Sequence, residues 1–158
     1  MSVTAISPGD YAKYNRDTPP LFVVSLDVEL NWGVRDSITG GRYDDNINGE
    51  RRASQAILDI FDEFGIHATW AIVGFLFFDD KAQLVENMPN VRPNYSNEAF
   101  CPYRAIDAIG RTEADDPLHL GASLVRMIEG RRHQEIATHT FSHYYCLEDG
   151  QDAVAFDA

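Results

Sequence analysis

The apolar run Leu21-Phe22-Val23-Val24-Ser25-Leu26, followed directly by Asp27-Val28-Glu29, is the stretch of sequence that decides the predicted fold. Short runs rich in β-branched and aromatic residues are typical of strands buried on both faces of a parallel sheet. The two carboxylates stand at the end of the run, where α/β folds place ligands and catalytic groups. We therefore predict a first strand over residues 21–26 with functional side chains at its carboxyl end.

Strand and helix patterns alternate along the rest of the chain. A helix is predicted with Asn48 as its cap and Gly65 at its end, because apolar residues recur at positions 53, 57, 60, 61 and 64. Residues 68–74 and 135–138 predict two further strands, and 81–87 and 120–130 predict helices. Residues 89–117 are interpreted as an insertion. The order of elements predicts an α/β fold.

Length and composition predict one domain. The chain has 158 residues, of which 44% are hydrophobic and 24% charged, as in ordinary globular domains. Residues 1–20 are polar and are interpreted as an N-terminal extension, and residues 21–158 as the domain itself. Residues 150–158 resemble the opening turns of a helix with nothing following it. Three parallel strands cannot close a barrel, so we expect a domain truncated at its C-terminus.

Charge and cysteine content restrict the partners and the compartment. The net charge of -12 argues against nucleic acid or an anionic membrane as a partner. The longest apolar run, residues 71–78, is far shorter than a membrane span. Cys101 and Cys146 lack close pairing, and no secretory signal precedes them, so we expect reduced thiols and a cytoplasmic protein.

Two groups of residues have the chemistry of a metal site. His139 and His143 follow the third predicted strand at a spacing of four, which brings two imidazoles to one side of a turn. Taken alone, each motif more often has a structural role. One histidine of such a pair commonly caps a helix or lies at the surface while the other packs in the core, and Asp27 and Glu29 alone would be a solvated acidic turn. Together, one carboxylate and two imidazoles form a ligand set suited to zinc or another divalent transition metal.

These residues resemble a known family. Ser25-Leu26-Asp27-Val28-Glu29 resembles the first motif of polysaccharide deacetylases, the NodB-homology or carbohydrate esterase family 4 enzymes, in a variant whose acidic pair is separated by one residue. His139-Thr140-Phe141-Ser142-His143 resembles their second motif, His-Ser/Thr-x-x-His. Residues 68–74 and 134–138 resemble the accompanying strands, so that the resemblance runs from Phe22 to Cys146 in the family's order.

The resemblance implies a fold, a reaction and roles. The fold would be an incomplete distorted (β/α) barrel, and the reaction the hydrolysis of an amide-linked acetyl group on an amino sugar. Asp27 would be the general base, and Glu29, His139 and His143 the ligands of zinc, with cobalt or nickel as alternatives. Because Val28 separates the carboxylates, the roles of Asp27 and Glu29 are open to exchange. The family's later motifs have no match, so we expect the 158-residue chain alone to be nearly inactive.

Other residues near the motifs have less specific interpretations. Trp32 is the predicted sugar-stacking residue, whereas Trp70 is expected in the core. Arg35 contacts an anionic substrate or pairs with surface acids, and Cys146 is interpreted as a small buried residue. The remaining histidines, 67, 119 and 133, match no motif.

Two alternatives to a sugar deacetylase stay open. The first is a non-catalytic fragment that binds carbohydrate, or that completes its fold as a homo-oligomer, since exposed strand edges favour association. The second keeps amide hydrolysis but directs it to a small non-sugar amide. The partner expected in the principal interpretation is a carbohydrate substrate.

Overall fold

The computed structural model describes residues 21–38 and 41–157, so the predicted extension 1–20 lies outside the described residues. Its strands are β1 (Ser25–Val28), β2 (Ala68–Ile72) and β3 (Gln134–Thr138). Its helices are α1 (Asp44–Phe64), α2 (Lys81–Glu86), α3 (Ala122–Glu129) and α4 (Ala153–Asp157), and short 3-10 turns connect several of them. The mixture of helices with a small parallel sheet confirms the α/β class.

The three strands form one parallel sheet in the order β1-β2-β3. Asp27 is opposite Ala71 in the register, and Ala71 is opposite Ala137. One face of the sheet packs into the hydrophobic core through Val28, Trp70 and Ile72, on the side where α1 and α3 lie. Both helices therefore cover the same face of the sheet.

The opposite face of the sheet is open in the described part of the chain. Ser25, Asp27 and Glu135 are exposed, and Thr69 and Ala71 are half-buried. The prediction that the first strand is buried on both faces is therefore wrong. Its apolar run suggested two covered faces, but alternate positions of β1 are polar and point away from the helices.

The first strand also begins later than predicted. The pairing with β2 covers only Ser25 to Val28. Earlier in the apolar run, Leu21, Phe22 and Val23 expose 86%, 92% and 74% of their surface. Hydrophobicity alone predicted a strand over this segment, but a strand also needs a neighbour that pairs with its backbone. Because β2 begins only at Ala68, residues 21–23 have no such partner in β2. The correction moves Asp27 inside the strand.

The helix predictions are mostly confirmed. Helix α1 ends where expected, with Gly65 in the left-handed conformation at φ 61°. Its start is wrong: α1 begins at Asp44 with Tyr43 before it, so Asn48 lies inside the helix. Helices α2 and α3 match the predicted segments, and Gly130 follows α3. No helix in the described ranges has the length and apolarity needed to cross a membrane.

Candidate metal centre

The alternation of side chains along the strands brings the predicted site together. Asp27 is paired with Ala71, which is paired with Ala137, so its side chain lies on the open face, and Glu29 directly follows β1 at the start of the next turn. His139 directly follows β3, and its backbone N–H donates to the Ile72 carbonyl at 2.9 Å. The carboxyl ends of β1 and β3 thus deliver a carboxylate and an imidazole to one place.

Glu29, His139 and His143 converge on one point. The Glu29 Oε1 atom lies 2.8 Å from His139 Nε2 and 3.2 Å from His143 Nε2, and the imidazole centroids are 5.1 Å apart. One donor atom from each residue lies within 4.8 Å of the others. One carboxylate oxygen and two imidazole nitrogens are a donor set that fits zinc, cobalt or nickel.

Asp27 lies beside this cluster and outside it. Its Oδ1 atom is 3.9 Å from His139 Nδ1, on the far side of the imidazole from Glu29, and 57% of its side chain is exposed. The geometry therefore favours Glu29 over Asp27 as a metal ligand. Asp27 therefore lies outside the candidate ligand set.

The turn that carries the two histidines has an unusual backbone. Thr140 and His143 have positive φ angles of 61° and 56°, a region that side chains other than glycine seldom occupy. The Tyr144 N–H donates to the Thr140 hydroxyl at 2.6 Å, which closes the turn. Strain of this kind persists only where surrounding contacts enforce it, and it is frequent at functional sites.

Contacts with the end of β2 hold the histidine turn in place. The N–H groups of Gly74 and Phe75 donate to the carbonyls of Thr140 and Phe141, both at 2.9 Å. A Cβ at Gly74 would come within 2.7 Å of the Phe141 Cα, so only glycine permits this approach. The position of His143 therefore depends on residues more than sixty positions earlier in the sequence.

The histidines make the Glu29 carboxyl more acidic. The hydrogen bond with His143 is the largest cause of its lowered pKa; burial opposes the shift, and charge interactions with His143 and His139 add to it. The other nitrogen of His143, Nδ1, is buried and has no partner among the described residues. A divalent cation requires the carboxylate to be ionised and both Nε2 atoms to be free of protons, so its binding would displace the protons that the histidines share with Glu29.

Glu50 is a neighbour of the site that the sequence analysis missed. It lies on α1 against the backbone N–H groups of Leu30 and Glu29, and burial raises its pKa to about 7 despite their opposing effect. Its spacing could have revealed it, because it falls between Ile47 and Ser54 on the buried stripe of α1. An acidic residue on a core-facing stripe was the available signal.

A second group that the sequence analysis missed is an aromatic wall beside His143. The Tyr145 ring meets the His143 ring edge-on at 5.2 Å and lies 4.9 Å from the Phe100 ring. The Arg35 guanidinium carbon is 5.7 Å from the centre of the Tyr145 ring. Burial, together with Asp36, raises the pKa of Tyr145. This wall forms the side of the site next to His143.

The predicted role of Arg35 needs correction, because its two Nη atoms donate to the backbone carbonyls of Ala99 and Phe100. It therefore ties two loops together, where an anionic ligand or a surface acid was expected. The prediction that Cys146 is buried is also wrong, because its side chain is exposed. Both cysteines are free thiols, as predicted.

The structure contradicts the sugar-stacking role predicted for Trp32. The indole is fully buried, packs edge-on against Phe75 at 4.9 Å and donates its Nε1–H to the His119 carbonyl. A short 3-10 turn, Leu30–Gly33, folds it back into the core. No face of the ring is available to a sugar. Trp70 is a core residue, as predicted.

The unassigned histidines lie away from the cluster. His119 has both ring nitrogens in hydrogen-bonding contact, Nδ1 with Asp116 at 2.9 Å and Nε2 with Asn31 at 2.7 Å, so it has a structural role. The rings of His67 and His133 lie 4.3 Å apart near the amino ends of β2 and β3. Neither arrangement contributes to the candidate metal centre.

No protein-family model, curated protein or solved structure matches this chain. The function proposed below therefore depends on the geometry of the site and on the two sequence motifs.

Proposed function

We propose that this protein is a metal-dependent amide hydrolase that removes an acetyl or similar acyl group from an N-acetylated sugar. Glu29, His139 and His143 hold the divalent cation, with zinc the expected metal and cobalt or nickel the alternatives. The observation that carries the proposal is the convergence of these three donors beside a separate carboxylate, Asp27. Metal binding and proton transfer are then divided between two acidic residues.

The chemistry follows from that division. A divalent cation at such a site lowers the pKa of a bound water from about 16 to about 7. Asp27, whose carboxylate lies 3.9 Å from His139 Nδ1 and is mostly exposed, is the proposed base for the proton of the attacking water. His139 and His143 use Nε2 toward Glu29, so both rings present the same nitrogen to the site. The side of the donor cluster that faces solvent is left for the substrate amide.

We also propose that the sheet is part of a distorted (β/α) barrel. Parallel strands in sequential order with α1 and α3 on one face are typical of barrel winding, whereas doubly wound folds reverse the strand order and cover both faces. In this interpretation the open face, with Ser25, Asp27 and Thr69, is the inner face. A barrel would place the site at the carboxyl ends of its strands, where the cluster lies.

A sugar is the proposed substrate because of the motif resemblance. Below Asp27 and Ala137, the face carries the hydroxyls of Ser25 and Thr69 and the carboxylate of Glu135. The Thr69 hydroxyl donates to Glu135 at 2.7 Å, which keeps both groups oriented. These groups stand near the amino ends of the strands, away from the cluster, so in the proposed barrel they face its interior.

Water activation at the site is tested with Co²⁺, whose visible spectrum reports on its ligands. The visible spectrum of wild-type protein loaded with Co²⁺ should change with pH as the bound water ionises. The midpoint of this change should lie at about pH 7, the pKa of water bound to catalytic zinc. In Asp27→Asn the Co²⁺ should still bind, but the midpoint should move because the neighbouring carboxylate charge is lost. A spectrum identical in both proteins at every pH would contradict the role of Asp27.

The substrate class is tested by acetate release from a chitooligosaccharide with zinc-loaded protein. Acetate release should disappear in Asp27→Asn and in His143→Ala. Binding of the oligosaccharide is followed in parallel by NMR. Metal-loaded protein that neither binds the oligosaccharide nor releases acetate would contradict the sugar substrate, and release of acyl groups from small amides alone would favour the non-sugar alternative.

Self-association is a second candidate function, favoured by the exposed segment before β1. Leu21, Phe22 and Val23 expose most of their surface next to a strand edge that has no partner among the described residues. Light scattering coupled to gel filtration tests it: a dimer that dissociates in Phe22→Ser supports association through this edge. A monomer at all concentrations rejects it.

A further inference from the structure

The side chain of Glu29 folds back over the turn that follows it. A Cβ built on Gly33 would lie 1.6 Å from Glu29 Oε2, 2.6 Å from its Cδ and 2.9 Å from its Cβ. All three distances are shorter than carbon atoms tolerate. The space that a side chain at position 33 would occupy is filled by the Glu29 carboxylate itself.

The need for glycine at position 33 is a need for space, not for an unusual backbone. Gly33 is absent from the positive-φ glycines, which in the described residues are Gly41, Gly65 and Gly150. Alanine is therefore compatible with its backbone. Gly65 is the opposite case, with φ 61° and no atom within 4 Å of its Cβ position.

Glu29 has no room to move aside without leaving the histidines. Its Oε1 atom contacts both Nε2 atoms, at 2.8 Å for His139 and 3.2 Å for His143, while Oε2 lies over Gly33. A methyl group at position 33 would overlap Oε2 and displace the whole carboxylate. Both histidine contacts would lengthen together.

The turn holds Gly33 at a fixed place relative to Glu29. The Trp32 N–H donates to the Glu29 carbonyl at 3.1 Å, and the Asn31 N–H donates to the Leu118 carbonyl at 3.0 Å. The Trp32 indole is fully buried, which anchors the residue just before Gly33. The turn is therefore unable to swing away from an added methyl group.

We propose that Gly33 is a positioning residue for the metal centre, one that leaves open the slot in which the Glu29 carboxylate meets His139 and His143. The consequence for metal affinity depends on the proposed function, whereas the consequence for the carboxylate does not. A glutamate whose long side chain returns toward the histidines needs this empty position. The sequence Glu29-Leu30-Asn31-Trp32-Gly33 thus acts as one unit in forming the site.

The experiment compares Gly33→Ala with Gly49→Ala, whose added methyl meets only the end of Arg52 at 4.0 Å. In metal-free protein, NMR of the histidine side chains reads the Glu29 contacts directly. Gly33→Ala should change the ring signals of His139 and His143 in the same direction as Glu29→Ala does, and Gly49→Ala should leave them unchanged. Unchanged ring signals in Gly33→Ala would overturn the proposal.

Co²⁺ titration then measures the consequence for the metal. Gly33→Ala should weaken binding by about 10- to 100-fold, the usual effect of disturbing the support of a ligand. In a Glu29→Gly background the same substitution should have no further effect, because the whole overlapping side chain, including its Cβ, is gone. An equal loss in both backgrounds would overturn the positioning role.

The outcomes separate this inference from the proposed function. If wild-type protein binds no Co²⁺, the proposed function fails, and the histidine signals of the metal-free protein still decide the role of Gly33. If Gly33→Ala does not fold, the Gly33→Ala, Glu29→Gly double variant should fold, since all three close contacts with the residue 29 side chain are removed. A double variant that also fails to fold would contradict the proposal.

Discussion

Glu50→Gln is expected to make the protein more stable at alkaline pH. The Glu50 carboxyl is half-buried between α1 and the backbone of Glu29 and Leu30, and burial raises its pKa from 4.5 to about 7. Glutamine keeps the shape of the side chain and an oxygen acceptor, but it carries no charge. The substitution therefore removes the cost of an ionised carboxylate at this place.

The sign and size of the effect follow from linkage between protonation and folding. Below pH 4.5 the carboxyl is protonated in both folded and unfolded chains, and it has no pH-dependent effect. As pH rises to about 7, the unfolded chain releases its proton first, so the folded state loses stability. The loss of unfolding free energy between low and high pH amounts to at most roughly 3 kcal/mol, and partial exposure of the Glu50 side chain reduces it.

The assay is urea unfolding of wild-type protein and Glu50→Gln at pH 4 and pH 8 with a chelator present. The unfolding free energy of Glu50→Gln minus that of wild type should be about 1 to 3 kcal/mol larger at pH 8 than at pH 4. Glu63→Gln, an exposed position on the same helix, is the control and should show no such change. A difference between wild type and Glu50→Gln that is equal at both pH values would refute the reasoning.

Two further predictions concern the framework of the site. Leu58→Ala should destabilise the protein by about 2 to 5 kcal/mol in urea unfolding, because Leu58 is fully buried, whereas Ile60→Ala, at a side chain that is 51% exposed, should cost less than about 1 kcal/mol. Gly65→Ala should lower the midpoint of thermal unfolding, because Gly65 has φ 61° at the end of α1. Gly49→Ala, inside the same helix, should raise that midpoint. The opposite order of the two midpoints would contradict this explanation.

The part of the site that follows local rules could be predicted from sequence. Asp27 and His139 were placed at strand ends because apolar runs precede them; in the sheet Asp27 lies inside β1, one residue before its end, and His139 directly follows β3. The spacing of four between His139 and His143 was enough to predict that their rings meet. Parallel pairing then brings the ends of β1 and β3 to one edge without further information.

The parts that depend on tertiary packing were not predictable in the same way. Trp32 stands three residues after Glu29, and this nearness in sequence suggested a contact with substrate, but the 3-10 turn directs its ring into the core. Glu50 and Tyr145 come near the site through α1 and the segment after the histidines. Their nearness depends on how these segments pack, which no single motif encodes.

The extent of β1 shows the same limit for the fold. Leu21 to Val23 have the composition of a strand but lie outside the ladder, because β2 offers partners only from Ala68 onward. Hydrophobicity reports the tendency of a segment to be buried, while strand formation depends on a neighbour. The open face of the sheet was missed for the same reason, since burial of a face depends on what packs against it.

The most direct test of the metal centre is a calorimetric titration of the metal-free protein with Zn²⁺. We predict one ion bound per chain, retained in Asp27→Asn, and a loss of affinity in His139→Ala and Glu29→Ala larger than the roughly 10- to 100-fold typical of supporting residues. Wild-type protein that binds no ion stoichiometrically, or His139→Ala that binds it as tightly as wild type, would contradict the central claim.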